Sequence, residues 1–388
     1  MPFPSRSARF IIPDLPSADE LRPFLQRIDD QQWYSNFGPL VLEFEQKFAQ
    51  AMAAKHKEPP RHALTLVSGY HALVIGLKVL GLGKGSRVLM PAVTFPACPL
   101  AAEHIGAEPI LTDVDPHSWL LTPAIARAIA ARMRLHAVMP VAVYGIPLPA
   151  DEWDAFTRDT GIPVVIDAAA AIESQRYLQR GLVVHSLHAL KPFGIGEGGL
   201  LVGSDGRLID AARCHANFGT RDRIAYVTGE NAKMSEYHAA VALAQLQRWP
   251  GIKKRRQRVY DMYKASLRGL KDKLALHPCL DQAVVSCLML RTPKPYKAGL
   301  VDRLKAKGVF AHQTYFPPLY RHPYFRNALV AGCDGQSARF SEKNAKASRE
   351  RIAPHCEALN KTAFGLPFHA FMKEEEVQKV VKTLANLI

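Results

Sequence analysis

The residue best placed for chemistry is a lysine. In SLHALKPFGIGEGG (186–199), Lys191 stands between a short apolar run and a loop holding Gly194, Gly196, Gly198 and Gly199. A lysine taken out of water loses its proton more easily and becomes a nucleophile. A surface lysine at a turn is the ordinary alternative, but so many glycines suggest backbone packed closely around something. The loop is no phosphate-binding P-loop, because no Gly-Lys-Ser/Thr closes it and a strand rather than a helix follows. A second candidate is Asp167, which ends the apolar run PVVID (163–167). It either caps the next helix or serves as a functional carboxylate at a sheet edge, and the pattern leaves both open. A third is VSGYHAL (67–73), a strand, a Ser-Gly turn and a helix start. Free backbone N–H groups at such a start form an anion site.

Those residues need a scaffold, and residues 60–205 describe one. HALTLV (62–67), RVLMP (87–91), EPILTDV (108–114), HAVMPVAVYG (136–145) and PVVID read as strands. Helices are expected from Tyr70 to Leu80, from about Thr94 to Ile105, from an N-cap at Thr122 with Pro123 first, and around Trp153 and Phe156. Apolar strands alternating with helices predict an α/β fold, a mostly parallel sheet sandwiched by helices. Ligands in such sheets bind beyond the carboxyl ends of the strands. Pro250–Gly251 separates an alanine- and leucine-rich helix from a basic one, so the expected division is a large domain, 1–250, and a smaller C-terminal α+β domain, 251–388.

With the motifs placed, the chain resembles the DegT/StrS family of sugar aminotransferases, in the fold-type-I pyridoxal-phosphate superfamily. The resemblance covers nearly the whole chain: SNFGPLVLEFEQKFA (35–49), SGYHAL, MPAVTFPA (90–97), DVDP (113–116), PVAVYGIPL (140–148), VVIDAAAAIES (164–174), SLHALKPFGIGEGG and GENAKMSEYHAAVALAQL (229–246). It implies a transaminase with pyridoxal 5'-phosphate as cofactor and Lys191 as the Schiff-base lysine and proton carrier. It implies Asp167 beside the pyridine nitrogen and Phe95 stacked on the ring. It gives the phosphate to the turn at Gly69, the amides of Tyr70 and His71, the Ser186 hydroxyl, and Asn231 of a neighbouring subunit. A homodimer with shared active sites follows. By the same resemblance, the amino donor is an amino acid such as L-glutamate and the acceptor a keto-sugar, usually nucleotide-linked. His188 fits the motif as a structural histidine.

Three positions depart from the family. Tyr70 replaces a threonine, Ala170 replaces a glutamine or histidine that bonds the cofactor's ring oxygen, and Tyr320 in TYFPPLYRHPYF (314–325) replaces a histidine near the substrate. Tyr315 and Tyr320 are therefore the expected substrate contacts. The Ala170 departure motivates a second reading, a lyase or other carbon-centred reaction.

Bulk properties narrow the classes. Of 388 residues, 48% are hydrophobic and 22% charged, as in ordinary globular proteins. The net charge of +15 favours anionic partners and motivates a third reading, a regulatory or nucleic-acid-binding protein on the same fold. No helix-turn-helix or zinc signature supports that reading, and the densest basic run, Lys253, Lys254, Arg255, Arg256 and Arg258, reads as one exposed helix face. The six cysteines form no CxxC pair and no cluster with zinc spacing, so no metal is expected. Their scatter suits a reducing cytoplasm. MPFPSRSARFIIPDLP lacks the apolar core of a signal peptide, and no run is long enough to span a bilayer.

Overall fold

A computed structural model describes residues 10–296, 299–340 and 345–388. Most of the MPFPSRSARF segment, residues 1–9, lies outside them. Two helices open the chain, α1 (Ala18–Gln31) and α2 (Pro39–His56). There follow β1 (His62–Leu66), α3 (Gly69–Val79), β2 (Arg87–Pro91), α4 (Ala97–His104), β3 (Glu108–Thr112), α5 (Pro123–Ala130), β4 (Ala137–Val138) and α6 (Ala150–Thr160). Next come β5 (Val164–Asp167), β6 (Gly181–Ser186), β7 (Gly199–Gly203), α7 (Gly206–Ala216), and the two-stranded ribbon of β8 (Thr220–Arg221) and β9 (Ile224–Ala225). A long helix, α8 (Glu236–Leu267), leads to β10 (Ala275–Leu276), β11 (Leu288–Arg291), α9 (Leu300–Ala306), β12 (Leu329–Ala331) and β13 (Ser337–Arg339). The chain ends with α10 (Ala345–Ile352), α11 (Pro354–Thr362), β14 (Ala363–Leu366) and α12 (Glu374–Ala385).

Nine strands form the main sheet, in the order β1-β7-β6-β5-β4-β2-β3-β12-β13. The pairs from β6 through to β12 are parallel, while β7 is antiparallel to both β1 and β6, and β13 to β12. Every residue of β5 and β7 is buried. Both faces of the sheet centre must therefore be covered, which the alternation of strand and helix predicts. α3 lies across β5, β6 and β7, while α4 packs on β2 and β3. Among the described residues, no helix is long and apolar enough to cross a membrane.

Three expectations need correction. HAVMPVAVYG is not one strand: β4 holds only Ala137 and Val138, and a 3-10 turn occupies Val143–Gly145. Pro140 explains the break, since it has no N–H to give the ladder; its carbonyl still accepts from Asp167 N at 2.9 Å. Pro250–Gly251 does not interrupt the chain either, because α8 runs through both as 32 residues. Beyond it, β10, β11 and β14 make a separate three-stranded sheet, but β12 and β13 join the main one. Residues on the two sides of position 250 thus share a helix and a sheet. Last, the basic run is not one exposed face. Arg256 is buried and donates to the carbonyls of Val285 (2.7 Å) and Ser286 (3.2 Å). Lys253 pairs with Glu173, and Arg255 with Asp14, each at 2.6 Å. Three of its five cations are thus engaged within the fold, while Lys254 and Arg258 stay exposed.

Candidate active site

The site lies beyond the carboxyl ends of β1, β5 and β6, where the sheet's own architecture puts it. Register brings its parts together: Ser186 pairs with Gly199, which also pairs with Leu66. The turn into α3 is therefore adjacent to the end of β6. The approach is so close that a Cβ on Gly69 would lie 2.9 Å from Ser186 Cβ, and one on Gly199 would lie 2.3 Å from the Ser68 carbonyl oxygen. Only glycine permits both contacts.

At the start of α3 the Ser68 hydroxyl caps the helix, accepting from the His71 amide at 3.2 Å. That amide, expected to bind an anion, is thus already engaged. The amides of Gly69 and Tyr70 have no acceptor among the described residues. They and the Ser186 hydroxyl form the polar lining available to an anion. Ser186 Oγ meanwhile accepts from His188 N at 3.3 Å. The Tyr70 side chain turns to His104, its hydroxyl 3.1 Å from Nδ1.

From Ser186 the glycine-rich loop folds on itself. Leu187 N donates to Gly198 O (2.8 Å), Ala189 N to Gly196 O (2.7 Å) and Lys191 N to His188 O (2.8 Å). Lys191 thus sits on a braced turn, partly buried. Desolvation pulls its pKa below the ordinary lysine value, against the opposing pull of Asp167 and of the Cys98 and Cys287 thiols. That is the environment of a reactive amine rather than a solvated surface charge.

Asp167 is 4% exposed. Its Oδ1 accepts from Ala169 N at 2.9 Å and its Oδ2 from the Cys98 thiol at 2.9 Å. The choice left open by the sequence is resolved in part: no helix starts at Asp167, and the carboxylate is shared between a turn and the Lys191 environment. Phe95 is 62% exposed. An aromatic ring left bare just before α4 is unusual for a core residue and suits stacking.

Tyr315 joins this group. It stacks on Tyr144 with ring centroids 5.3 Å apart, and burial together with Asp167 raises its hydroxyl pKa. Tyr144 in turn donates to the Thr314 carbonyl at 3.1 Å. Tyr320 does not join it. It is 2% exposed, its hydroxyl donates to Glu357 at 3.0 Å, and Arg321 takes the same carboxylate. The expectation that Tyr320 meets the substrate fails because its polar end is spent on a buried ion pair. Asn231 is exposed, and its side-chain oxygen accepts from Lys233 at 2.8 Å. Among the described residues, no bond ties it to Ser186.

Sequence reasoning missed Cys98, Cys287 and Tyr144. Cys98 stands one residue past the MPAVTFPA motif and was within reach. Cys287 lies in an irregular stretch far along the chain and carried no signal.

Comparison with known proteins agrees with this geometry. Residues 17–385 match the model of the DegT/DnrJ/EryC1/StrS aminotransferase family. The chain is 33% identical over 336 residues to Protein Rv3402c of Mycobacterium tuberculosis (strain ATCC 25618 / H37Rv), covering 81% of this chain and 78% of that one. It is 26% identical to the GDP-perosamine synthase of Caulobacter vibrioides, covering 95% of each. Among solved structures, that of DesI in the presence of its TDP-sugar product superposes with a TM-score of 0.80 at 27% identity, over 96% of this chain and 92% of that one. Such likeness spans sequence and fold over nearly the whole chain, and the chain belongs to the DegT/DnrJ/EryC1/StrS aminotransferase family.

Proposed function

We propose that the chain is a pyridoxal-phosphate-dependent aminotransferase in which Lys191 carries the cofactor and an amino group moves from an amino acid, L-glutamate, to a nucleotide-linked keto-sugar. The observation that carries it is the convergence of a desolvated lysine, a buried carboxylate and an unpartnered helix start at one sheet edge. These residues fit the cofactor group by group. The Gly69 and Tyr70 amides and the Ser186 hydroxyl would take the phosphate, Asp167 the pyridine nitrogen, Phe95 one ring face, and Lys191 the aldehyde. The His71 amide, already held by Ser68, contributes through the cap instead.

When bound, the cofactor supplies an electron sink for the substrate carbon. The protein's share is placement and proton transfer. A carboxylate at Asp167 favours a protonated ring nitrogen, and two hydrogen bonds fix its orientation. Lys191 Nζ, its proton loosened by desolvation, takes a proton at one atom and returns it at another. Tyr315 would face the substrate. The relatives named for nucleotide-sugar chemistry support the acceptor class, and the net charge of +15 suits a pyrophosphate.

The finer reading includes a homodimer in which Asn231 reaches the neighbouring phosphate site. Its support is an exposed apolar set around the β8–β9 ribbon, Phe218, Ile224, Tyr226 and Val227, together with the exposed stacked pair Tyr34 and Tyr237. Sedimentation would test it, with a monomer as the contrary result. The reading also places the enzyme in the cytoplasm, in keeping with six unpaired cysteines.

The deciding experiment is the visible spectrum of the purified protein before and after L-glutamate, with Lys191→Ala alongside. A yellow protein bleached by glutamate is expected, and a variant without that band whose turnover is lower by at least roughly 10²–10⁴-fold. A protein that takes up no pyridoxal phosphate sinks the proposal. The lyase reading is kept alive by Ala170, which offers no side-chain donor where the family bonds the ring oxygen. Transfer of label from ¹⁵N-glutamate into the product excludes it.

A further inference from the structure

Three side chains far apart in sequence meet on the carboxyl side of the sheet, at strand β3 rather than at β5 and β6. Asp113 follows β3, Cys333 follows β12, and His355 is the second residue of α11. β12 pairs with β3, so Cys333 is carried to Asp113 by strand register, and α11 begins above both. His355 Nδ1 lies 3.0 Å from Asp113 Oδ2. Cys333 Sγ lies 3.8 Å from His355 Nδ1 and 3.9 Å from Asp113 Oδ2. Among the described residues this is the group of cysteine, histidine and carboxylate donors close enough to share an ion.

From this geometry we infer a metal site: Asp113, Cys333 and His355 form a three-ligand centre for a zinc-class divalent cation, with an open fourth position. The triangle is the first argument. The three donor atoms lie 3.0, 3.8 and 3.9 Å apart, a span that zinc bonds of about 2.0–2.2 Å to nitrogen and oxygen and about 2.3 Å to sulfur can bridge, with small side-chain rotations lifting the ion out of the plane of the donors. The ligand set is the second argument: one thiolate, one imidazole and one carboxylate suit zinc and poorly suit magnesium or calcium.

The surroundings agree. Asp113 is fully buried, and its oxygens accept from the Cys356 amide at 2.7 Å and the His355 amide at 3.2 Å. Such outer hydrogen bonds fix a ligating carboxylate. Asp115 and Asp334 add negative charge around Cys333. Cys333 and His355 are only partly buried, so an ion can enter. Binding would discharge the Cys333 proton, with the ion replacing the weak contact from thiol to the Val114 carbonyl at 3.7 Å. The centre would clip β3, the β12–β13 turn and α11 together. It lies three strand positions from β5, the strand that ends in Asp167, and takes no residue from the Lys191 site.

The test uses the tag-free, cofactor-loaded enzyme, dialysed against zinc chloride and then metal-free buffer, with zinc counted by plasma mass spectrometry. One zinc per chain is expected. Cys333→Ala and His355→Gln should each weaken binding by more than the roughly 10–100-fold that losing an outer partner costs. Both variants should keep the cofactor's visible band, which shows that they fold. Zinc should raise the unfolding temperature of the natural chain and leave that of both variants unmoved. Natural protein that retains no zinc, or variants that retain as much as it does, would overturn the inference and leave the group as a hydrogen-bonded helix anchor.

Discussion

Asp167 holds two hydrogen bonds within the chain itself, one from a backbone amide and one from the Cys98 thiol. The thiol is the adjustable one. It is fully buried, and desolvation together with the neighbouring carboxylate keeps its pKa well above the ordinary cysteine value, so it stays a donor. Cys98→Ala removes that donor and leaves the Asp167 carboxylate held by the Ala169 amide alone. A hydrogen bond to a charged group is worth roughly 1.5–3 kcal/mol, so cofactor affinity should fall on the order of tenfold or more. Cys98→Ser should restore it, because a hydroxyl donates at least as well. A fluorescence titration with pyridoxal phosphate reads both, and an unchanged affinity in the alanine variant would deny Cys98 this positioning role. At this scale the sequence was legible where a residue type has few uses. A lysine before a glycine-rich loop and a carboxylate closing an apolar strand both stood out. A cysteine scattered among alanines did not, since its role depends on facing Asp167 across 69 positions.

Elements are joined by side chains that cap a neighbour as well as their own helix. Ser235 caps α8, accepting from His238 N. The next residue, Glu236, is 1% exposed and accepts from the amides of Leu40 (2.8 Å) and Val41 (3.0 Å), which begin α2. The Met-Ser-Glu stretch therefore fixes where two helices start. Glu236→Ala strands two buried amides at roughly 1–3 kcal/mol each. We expect a loss of roughly 2–6 kcal/mol, seen as a lowered urea midpoint with an unchanged slope. Glu236→Gln keeps one acceptor and should lose less. Equal midpoints for the alanine variant and the natural chain would show that water replaces the cap. The helix starts themselves were readable, as Thr122 and Pro123 illustrate, because capping is local chemistry. Pro140 and Pro250 show where reading stopped. Both are breakers by local rule, yet one ends a strand while the other lies inside a helix whose flanks bury Leu243, Trp249, Ile252 and Val259. Tertiary burial decided between them, and no local pattern reports it.

At the scale of the whole molecule, His185 and His277 are buried as neutral groups in different regions. His185, on β6, sits between the Ala168 carbonyl (3.0 Å) and the Tyr177 hydroxyl (3.2 Å), and burial lowers its pKa to about 4. His277, between β10 and β11, lies 2.9 Å from the Ser118 carbonyl and edge-on to Trp119, and burial lowers its pKa to about 4 as well. His277 links the residues after α8 to the segment that follows β3, a join invisible in a sequence where the two are 159 positions apart. Both folded values lie below the unfolded value of about 6.5. The unfolded chain therefore binds these protons first as pH falls. Above about 6.5 both states are neutral and full stability is present; between about 6.5 and 4 it drains away, by roughly 3 kcal/mol per histidine at the acid end. Unfolding temperatures at pH 7 and pH 5 should accordingly differ, and the difference should shrink in His185→Gln and in His277→Gln. An amide can still donate to either carbonyl but takes up no proton, so the comparison isolates titration from packing. Cofactor loss in acid affects all three proteins alike and cancels in the difference. Should both variants keep the full pH dependence, other groups carry the acid sensitivity and these histidines are merely well packed.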